Sequence, residues 1–395
     1  MMSKSGGERG IRTPGRLPYN GFQDRRLKPL GHLSLIIAKD RTINYQFSQF
    51  QRISVKRLIA VFLLSALSLT LRASTAKCEI ADLQFFGDVL ITNKALYQTD
   101  SKHAMSRIFG DTLPLLNAAK HNIVNLEGVI TGPLPRTTWK QYFLRMAPQS
   151  AKLIRAAGID VATLANNHSM DYGFSGLIST MMSLAKADIR FTGAGADLST
   201  ASKPLIIELG PRSVCLLAFS KTLPETFWAT ATQAGTAFAS EKLTARRVRD
   251  CHAKGYYTVV SFHWGQEGEK KAAEYQRELA RAVIDAGADL VIGHHPHVVQ
   301  DIESYRGKPI FYSLGNFAFG TEPATGGQEG IVVRVTLNQS EDQNPLIEAI
   351  PLDVNNQIVR FTPKPIEQPS PPPLGALSPN NDLCQWQRDR WTCQF

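Results

Sequence analysis

The strongest constraint on the fold is a regular alternation of short β-like runs and longer helix-like stretches from residue 82 to residue 337. Strands separated by helices in this way are typical of βαβ units and a largely parallel, buried sheet. Several consecutive strands in the later half predict a second sheet packed on the first. The predicted strands are 82–86, 122–126, 161–164, 189–191, 205–209, 213–219, 257–262, 290–292, 310–314 and 331–337, and the predicted helices are 102–120, 151–157, 176–187, 245–253 and 272–286.

Polar side chains that can bind metals follow several predicted strands, at the point where each strand ends. In open α/β sheets, ligands bind at the carboxyl edge of the strands, so these side chains are expected to meet. Each has an ordinary alternative, since an Asp in this position is often a helix cap and Asn-Asn is often a turn. Their joint occurrence at five strand ends favours one site built from Asp88, Glu127, Asn167, His168, His263, His295 and His297.

The stretch 291–300 is the densest part of this pattern, with three histidines in four positions. Neutral imidazole is the commonest transition-metal ligand. His295 and His297 are two residues apart in a predicted extended loop, so both can direct a nitrogen into one cavity. His294 is expected to shape the loop or to contact a substrate. The alternative is a turn with incidental histidines.

These residue types together indicate a particular chemistry. Two carboxylates, an Asn and the histidines form a mixed oxygen and nitrogen set, which suits Mn, Fe or Zn better than Ca. The set is large enough for one or two divalent ions, with a carboxylate as the natural bridge. Paired cations can hold a hydroxide nucleophile and clamp a phosphoryl oxygen. His168 is left over as a general acid, so the predicted reaction is phosphoester hydrolysis.

Six short motifs stand in a distinctive order along the chain. They are Gly87-Asp88, Asn125-Leu126-Glu127-Gly128, Ala165-Asn166-Asn167-His168 with Asp171-Tyr172-Gly173, His263-Trp264-Gly265-Gln266-Glu267, Gly293-His294-His295-Pro296-His297-Val298 and Tyr312-Ser313-Leu314-Gly315-Asn316-Phe317. In this order they resemble the bacterial poly-gamma-glutamate capsule-synthesis family of the CapA type, which looks like a branch of the calcineurin-like metallophosphoesterases. The resemblance covers about residues 82 to 350. It implies an α/β fold of four layers, αββα, with two mixed sheets flanked by helices.

The resemblance also implies a role for single residues. His168 corresponds to the general acid, and Glu127 stands where the superfamily has a bridging Asp. His295 and His297 match a Gly-His-x-His motif into which His294 is inserted. The implied metal ligands are Asp88, Glu127, Asn167, His263, His295 and His297.

One position departs from the superfamily pattern. Asp88 begins a motif that is Asp-x-His in the superfamily, but here the third residue is Leu90. The change removes one ligand from one metal, which weakens the expectation of a tightly bound second metal and of efficient hydrolysis. Glu267 or Glu127 is a candidate to compensate.

The candidates for contact with substrate are less specific. Arg145 can orient an anionic group in a bidentate manner, with a solvated surface role as an equal alternative, and Lys140 is predicted to be a solvated surface charge. Asn316 can face the site, although a plain turn role is the stronger interpretation. The full set of substrate-binding candidates is Arg145, His294, Glu267 and Asn316.

The formal charge of +10 suggests a nucleic-acid partner only until its location is considered. Residues 1–57 carry 12 Lys or Arg against 3 Asp or Glu, so the remainder is nearly neutral and no nucleic acid is expected as a partner. The uncharged run 58–71 follows two basic residues and precedes small ones, which describes a signal peptide cleaved after Ala76. An uncleaved anchor is the alternative. Residues 1–54 are predicted to be a non-native extension from a misplaced start, or a disordered basic tail.

These features divide the chain into an extension (1–54), a signal peptide (55–76), a CapA-type domain (80–355) and a Pro-rich tail (356–395). The mature chain is expected in the periplasm or at the cell surface, without a stable membrane span if the signal is cleaved. An exported chain permits disulfides. Among the five cysteines, the preferred pair is Cys384 with Cys393.

Two functional hypotheses follow. In the first, the chain is an exported, metal-dependent hydrolase that acts on a phosphoester or another bond of a cell-envelope polymer. In the second, it is a non-catalytic polymer-binding or assembly component of the capsule-synthesis machinery on the same scaffold. The departure at Leu90 motivates the second hypothesis.

Overall fold

The computed structural model describes residues 81–92, 103–136, 140, 142–320, 327, 329–337, 344–354, 364–365, 384–387 and 390–393. The predicted extension and signal peptide lie outside these residues. The described strands are β1 (Ala81–Leu90), β2 (Ala119–Leu126), β3 (Val129–Ile130), β4 (Arg145–Met146), β5 (Val161–Thr163), β6 (Arg190–Thr192), β7 (Ala194–Gly195), β8 (Leu205–Glu208), β9 (Ser213–Ser220), β10 (Gly235–Thr236), β11 (Tyr257–His263), β12 (Leu290–His294), β13 (Ile302–Tyr305), β14 (Lys308–Phe311), β15 (Asn316–Phe319), β16 (Glu329–Thr336), β17 (Leu346–Asp353), β18 (Lys364–Pro365), β19 (Cys384–Gln387) and β20 (Arg390–Cys393).

The helices of the described residues are short to medium in length. They are α1 (Ala104–Phe109), α2 (Leu113–Leu116), α3 (Ser150–Ala156), α4 (Gly173–Lys186), α5 (Leu198–Ala201), α6 (Glu241–His252) and α7 (Glu274–Asp285), with single 3-10 turns at Gly110–Thr112 and Glu225–Phe227. None of these helices is both long and apolar enough to cross a membrane.

The larger sheet is mixed and is centred on β1. Its strand order is β19-β20-β17-β16-β1-β2-β5-β6, with β15 paired to β1 and β18 to β17. The strands β1, β2, β5 and β6 run parallel to one another, whereas β16 runs antiparallel to β1. All ten residues of β1 are buried, because a central strand is covered on both faces. The burial includes three polar residues of this strand, Asp82, Gln84 and Asp88.

The smaller sheet has the order β13-β14-β12-β11-β9-β8. Its inner strands β9, β11, β12 and β14 are parallel, and the two edge strands β8 and β13 are antiparallel to their neighbours. The sheet is therefore also mixed. The chain builds it from residues 205–311 and then returns to the larger sheet with β15, β16 and β17.

Three cores separate four layers. Leu83 of β1 and Val259 of β11 belong to the core between the two sheets. Their chain neighbours on the opposite faces pack against helices, since successive strand residues point to opposite sides. Leu177 of α4 joins the outer core of the larger sheet, and Val283 of α7 joins that of the smaller sheet. The predicted αββα arrangement is confirmed.

The prediction of one helix over 102–120 was wrong at its end. The helical region stops at Leu116, and β2 begins at Ala119. Ala119 pairs with Ala81 at the start of β1, so backbone pairing along a central strand overrides the local preference of the polar residues that begin β2.

The Pro-rich region set apart as a tail contributes strands to the domain. β20 pairs with β17, and β19 pairs with β20. In this hairpin the backbone register places Cys384 opposite Cys393. A bond between these two cysteines remains a prediction.

A disulfide joins the smaller sheet to the helix layer outside it. Cys215 of β9 and Cys251 of α6 form this bond over a sequence separation of 36 residues. Both residues are buried. The sequence did not indicate this pair, because only the packing of α6 on the sheet brings the two positions together.

Removal of this disulfide should destabilise the domain. For a loop of this length, the double variant Cys215→Ala/Cys251→Ala is expected to lose about 3–4 kcal/mol of unfolding free energy, chiefly because the unfolded chain gains freedom. Urea unfolding of the two proteins measures the difference. A reductant should lower the midpoint of the wild type by more than that of the variant; equal midpoints for both proteins without reductant would contradict the prediction.

Candidate metal centre

The candidate ligands meet where the parallel strands end. Asp88 lies near the end of β1, Glu127 directly follows β2, and His263 is the last residue of β11. The residues that follow β5 and β12 complete the group, which comprises Asn167 and His168 after β5 and His294, His295 and His297 at and after β12. All of these side chains except the half-buried Asn167 are buried. The predicted convergence is present, but the prediction of a single sheet edge was wrong: the donors follow strands β1, β2 and β5 of the larger sheet and β11 and β12 of the smaller sheet.

Glu127 is the centre of this group. Its Oε1 lies 3.6 Å from His263 Nε2 and 3.8 Å from His297 Nε2. Within the described part of the chain, neither carboxylate oxygen of Glu127 has a hydrogen-bond partner, although the residue is fully buried. A buried carboxylate without donors is costly, and a cation is the natural partner for it.

Two sets of donor atoms share Glu127. In each set the atoms lie within 4.8 Å of one another; the sets are Glu127 with His263 and His295, and Glu127 with Asp88 and His297. Their mixed carboxylate and imidazole composition fits Mn, Fe or Zn. The residues therefore fit the predicted metal group, with Glu127 able to bridge two cations.

Asp88 is held by a dense set of contacts. Its Oδ1 accepts a hydrogen bond from Asn125 Nδ2 at 2.8 Å, and His294 Nδ1 lies 3.3 Å from the same oxygen. Its Oδ2 accepts from the backbone N–H of His295 at 3.3 Å and lies 3.3 Å from His297 Nδ1. Burial alone would raise the pKa of Asp88, but the two histidine side chains outweigh it and hold the pKa well below its usual value. Asp88 is thus kept ionised, as a metal ligand must be.

The histidines differ in charge state. Burial lowers the pKa of His263 well below its usual value and that of His295 to about 3, so both are neutral, the form that binds metals. Burial also disfavours the charged form of His297, but the charges of Glu127 and Asp88 raise its pKa to about 10. His295 and His297 have φ angles of 97° and 57°, which the sequence pattern of an extended loop did not predict.

The two donor sets are unequal. His263 Nε2 lies 2.8 Å from Asn167 Oδ1, so Asn167 is a candidate for a fourth donor to the set with His295. The set with Asp88 has no such addition from position 90, because the side chain of Leu90 has no donor atom; it is fully buried in the core beneath the helices. Four ligands are usual for zinc in structural sites and three leave open coordination positions. The set containing Asn167 is therefore expected to bind a cation more tightly.

His168 belongs to a cluster beside the donor sets. Its Nε2 lies 3.9 Å from Glu127 Oε1, and its Nδ1 lies 2.7 Å from Asp171 Oδ2 and 2.9 Å from Lys140 Nζ. Burial, opposed by Asp171, lowers the pKa of His168. His168 thus presents one ring nitrogen toward the donor sets and the other to its own partners.

The prediction of Lys140 as a solvated surface charge was wrong. Its side chain is 15% exposed, and Nζ lies 2.7 Å from Asp171 Oδ1. Nζ also contacts the backbone carbonyl of Asn167 and lies 5.4 Å from the centre of the Phe227 ring. Burial lowers the pKa of Lys140. The sequence around Lys140 has no helical or strand periodicity, so its burial was not visible in the sequence.

Asn125 and Asn166 were not singled out as site residues, yet both support the ligands. Asn125 Nδ2 lies 3.2 Å from His263 Nδ1, in addition to its bond to Asp88. Asn166 donates to Asn125 Oδ1 at 3.2 Å and accepts from the His168 backbone N–H at 3.1 Å. The available signal for Asn125 was a polar residue among the apolar residues 123–126 at the end of β2, two positions before Glu127.

The predicted substrate contacts have different surroundings. Asn316 is buried, and its Oδ1 lies 2.9 Å from His297 Nδ1, so it orients that histidine. His294 is buried against Asp88. Glu267 is exposed. Its negative charge acts to raise the pKa of Glu127 and of Lys140. Arg145 is half-buried in β4, opposite Val129, and within the described residues it does not join the contacts of the metal centre.

Asp88 is held in position by a close contact between the backbone of β1 and the backbone at Gly315. The N–H of Asp88 donates to the carbonyl of Gly315 at 3.1 Å, and β1 has a register irregularity between Asp88 and Val89. A Cβ atom at Gly87 would lie 2.1 Å from the same Gly315 carbonyl oxygen. Only glycine fits at position 87 without a shift of β1 against β15.

Gly87→Ala should therefore damage both stability and the site. We expect a loss of about 3 kcal/mol in unfolding free energy, at the upper end for overpacking because the obstacle is backbone, together with weaker binding of divalent metal. The matched control is Gly132→Ala, since a Cβ atom there meets nothing within 4 Å. Thermal unfolding and metal titration of both variants test this; equal behaviour of the two would contradict it.

The family model and the most similar sequences among known proteins indicate the same family. A family model described as bacterial capsule synthesis protein PGA_cap matches residues 82–321. The PGA biosynthesis protein CapA of Bacillus subtilis is 30% identical over 315 residues, which cover 79% of this chain and 81% of that protein. The capsule biosynthesis protein CapA of Bacillus anthracis is 31% identical over 231 residues, 58% of this chain and 54% of that protein.

A probable polyglutamine synthesis accessory protein of Mycobacterium tuberculosis is 32% identical over 234 residues, 56% of this chain and 61% of its own length. The chain thus spans little more than half of the Bacillus anthracis and Mycobacterium relatives. Among solved structures, Haemophilus influenzae NAD nucleotidase matches with a TM-score of 0.37 and 12% identity, over 58% of this chain and 49% of that one. Thermus thermophilus sulfate thiohydrolase SoxB matches with a TM-score of 0.39 and 14% identity, over 68% and 56%.

Proposed function

The chain belongs to the bacterial capsule synthesis family PGA_cap, and we propose that it is a metal-dependent hydrolase acting on a phosphoester or another bond of a cell-envelope polymer. The observation that carries the proposal is Glu127, a buried carboxylate without hydrogen-bond donors among the described residues that is shared by two sets of metal-competent side chains. A shared carboxylate is the natural bridge of a two-metal hydrolytic site.

In this proposal the residues of the site have three roles: metal ligand, support of a ligand, and general acid. Asp88, Glu127 and the three histidines of the donor sets would hold the cations, with His297 in its deprotonated form. Asn125 and Asn316 keep the ligand side chains in orientation. When bound, divalent cations supply charge neutralisation and activation of water. His168 directs Nε2 toward Glu127, which places it to donate a proton to a leaving group.

We further propose that the chain is exported and works with the capsule-synthesis machinery. The Cys215–Cys251 disulfide supports export, because disulfides persist mainly in oxidising compartments. The predicted signal peptide lies outside the described residues. The names of the Bacillus relatives, PGA biosynthesis protein and capsule biosynthesis protein, support an anionic envelope polymer as the biological context.

A second candidate function is favoured by Leu90. This residue fills the core where the superfamily pattern has a ligand histidine, so one donor set has three members. A chain that has lost efficient catalysis would serve as a polymer-binding or assembly component on the same scaffold. It would bind polyglutamate without cleaving any bond, and its metal-free form would still support polymer display.

The test combines metal content with turnover. We expect purified protein to contain up to two equivalents of Mn, Fe or Zn and to hydrolyse a generic phosphomonoester or phosphodiester, and His295→Ala to lose metal and activity together. His103→Ala is the matched control, since His103 is exposed and lies outside the donor sets. Wild-type protein that binds metal but hydrolyses no phosphoester would favour the second function.

A further inference from the structure

We propose that two buried glutamines, Gln276 and Gln300, form a clamp that holds the backbone of the histidine loop (residues 295–298) in the conformation that brings His295 and His297 to different donor sets. Both glutamines are positioning residues, because they act on the histidine loop through a neighbouring loop. This role rests on the metal centre of the proposed function and does not require turnover.

The histidine loop has an unfavourable backbone conformation at two positions. His295 has a φ angle of 97° and His297 one of 57°, a region that residues with a side chain rarely adopt. Such a conformation persists only where the surrounding structure holds it. Because the two side chains belong to different donor sets, relaxation of either backbone would move a metal ligand. Contacts within the protein therefore have to hold this loop before a cation binds.

The neighbouring loop of residues 265–271 provides one such contact. The N–H of Gly268 donates to the carbonyl of Pro296 at 2.9 Å, and Pro296 stands between the two strained histidines. However, every residue from 266 to 271 is exposed. A backbone hydrogen bond from an exposed segment opens easily unless that segment is fixed by buried contacts.

Gln300 fixes the 265–271 loop from the protein interior. Its Nε2 donates to the carbonyl of Glu269 at 2.8 Å and to that of Lys271 at 3.3 Å. Its backbone N–H donates to the carbonyl of Ser313 at 3.2 Å. One side-chain amide thus joins two points of the exposed loop to the buried backbone behind it.

Gln276 completes the clamp. Its Nε2 donates to Gln300 Oε1 at 3.1 Å, and its Oε1 accepts from the N–H of Ala273 at 2.9 Å. A Cβ atom at Gly265 would lie 3.1 Å from both Gln276 Nε2 and Pro296 Cγ. The amide of Gln276 therefore packs where the start of the 265–271 loop meets the histidine loop.

Burial gives these contacts weight. Gln276 and Gln300 are each 1% exposed, and a buried amide is costly unless it is hydrogen-bonded. If the 265–271 loop opened, the two N–H groups of Gln300 would lose their acceptors inside the protein. Opening is therefore disfavoured, and the closed loop keeps the N–H of Gly268 on the carbonyl of Pro296.

The test compares two buried glutamines in the full chain. Gln300→Met preserves the length of the side chain and removes its hydrogen bonds. Gln84→Met is the matched control, because Gln84 is also fully buried and its Nε2 donates to the carbonyl of Leu115 at 2.9 Å, in the first half of β1. Both substitutions should lower the midpoint of thermal unfolding. Only Gln300→Met should weaken the binding of Zn or Mn, by about 10–100-fold, the usual effect of losing a residue that orients metal ligands. Equilibrium dialysis of the folded proteins measures this affinity.

Hydrogen–deuterium exchange of the metal-free proteins tests the clamp without any cation. In the wild type, we expect the amide proton of Gly268 to be protected although this residue is exposed. In Gln300→Met it should exchange at least about tenfold faster, because opening no longer leaves buried donors without acceptors. In Gln84→Met it should exchange as in the wild type.

An unprotected Gly268 amide in the metal-free wild type would overturn the proposal, and this result needs no variant to fold. Wild-type metal affinity in folded Gln300→Met would also overturn it, as would an equal loss of affinity in Gln84→Met. A chain that shows the expected affinities but hydrolyses no phosphoester would remove the proposed hydrolase and leave the clamp standing. If the wild type binds no divalent metal, the metal centre fails, and the exchange of Gly268 decides the clamp.

Discussion

Glu127→Gln should abolish tight metal binding at both donor sets, because Glu127 is the one residue that both sets contain. The substitution preserves size and removes the charge and one of the anionic ligand atoms. We expect the affinity for Mn or Zn to fall more than about 100-fold, since even supporting residues of metal sites contribute 10–100-fold. Equilibrium dialysis with elemental analysis measures the number of bound ions and their affinities.

Variants that change a residue of only one donor set are the controls for this result. His295→Ala should remove only the ion of the set that contains His263, and Asp88→Asn should remove only the ion of the other set. The set containing Asn167 should lose its ion last in a competition with chelator, since Leu90 gives no ligand to the set of Asp88. One tight ion retained in Glu127→Gln would contradict the shared role of Glu127.

The same variant should not be less stable than the wild type when both are metal-free. Burial disfavours the ionised form of Glu127 and raises its pKa well above the usual value, and the Glu127→Gln substitution replaces this carboxyl group with a neutral amide. Thermal unfolding in the presence of chelator is therefore expected to give an equal or higher midpoint for Glu127→Gln. A lower midpoint would show that the loss of metal reflects a damaged fold.

His168→Gln should reduce kcat for a phosphoester by about 10²–10⁴-fold, the usual contribution of a general acid, while leaving metal content intact. We expect the metal content to stay intact because His168 is in neither donor set and its Nε2 lies 3.9 Å from Glu127 Oε1. Steady-state kinetics and elemental analysis on the same preparation separate the two effects.

Comparison with His295→Ala distinguishes the loss of a general acid from the loss of metal. That variant should lose activity through loss of metal, and added metal at high concentration should restore part of it. Added metal should not restore His168→Gln. Activity of His168→Gln within about threefold of the wild type, far less than the usual contribution of a general acid, would remove that role and favour the polymer-binding alternative.

Much of this centre was predictable because strand ends can be recognised locally. Asp88 and Glu127 follow apolar runs, and the parallel order implied by alternating strands and helices brings such ends to one edge. The four-layer fold was predictable for the same reason, together with the motif order. The boundary of the helix at Leu116 was less accessible, because pairing of β2 with β1 from Ala119 onward is a tertiary effect.

The sequence by itself determined which side chains end the strands, and hence the donor types and the missing ligand at Leu90. The tertiary structure alone decided how they are shared: that Glu127 lies between two sets, that Asn125 supports both Asp88 and His263, and that Lys140 turns inward to His168. The reason is physical. Strand ends are set by local residue pattern, whereas distances between side chains and the burial of Lys140 depend on packing between elements far apart in the chain.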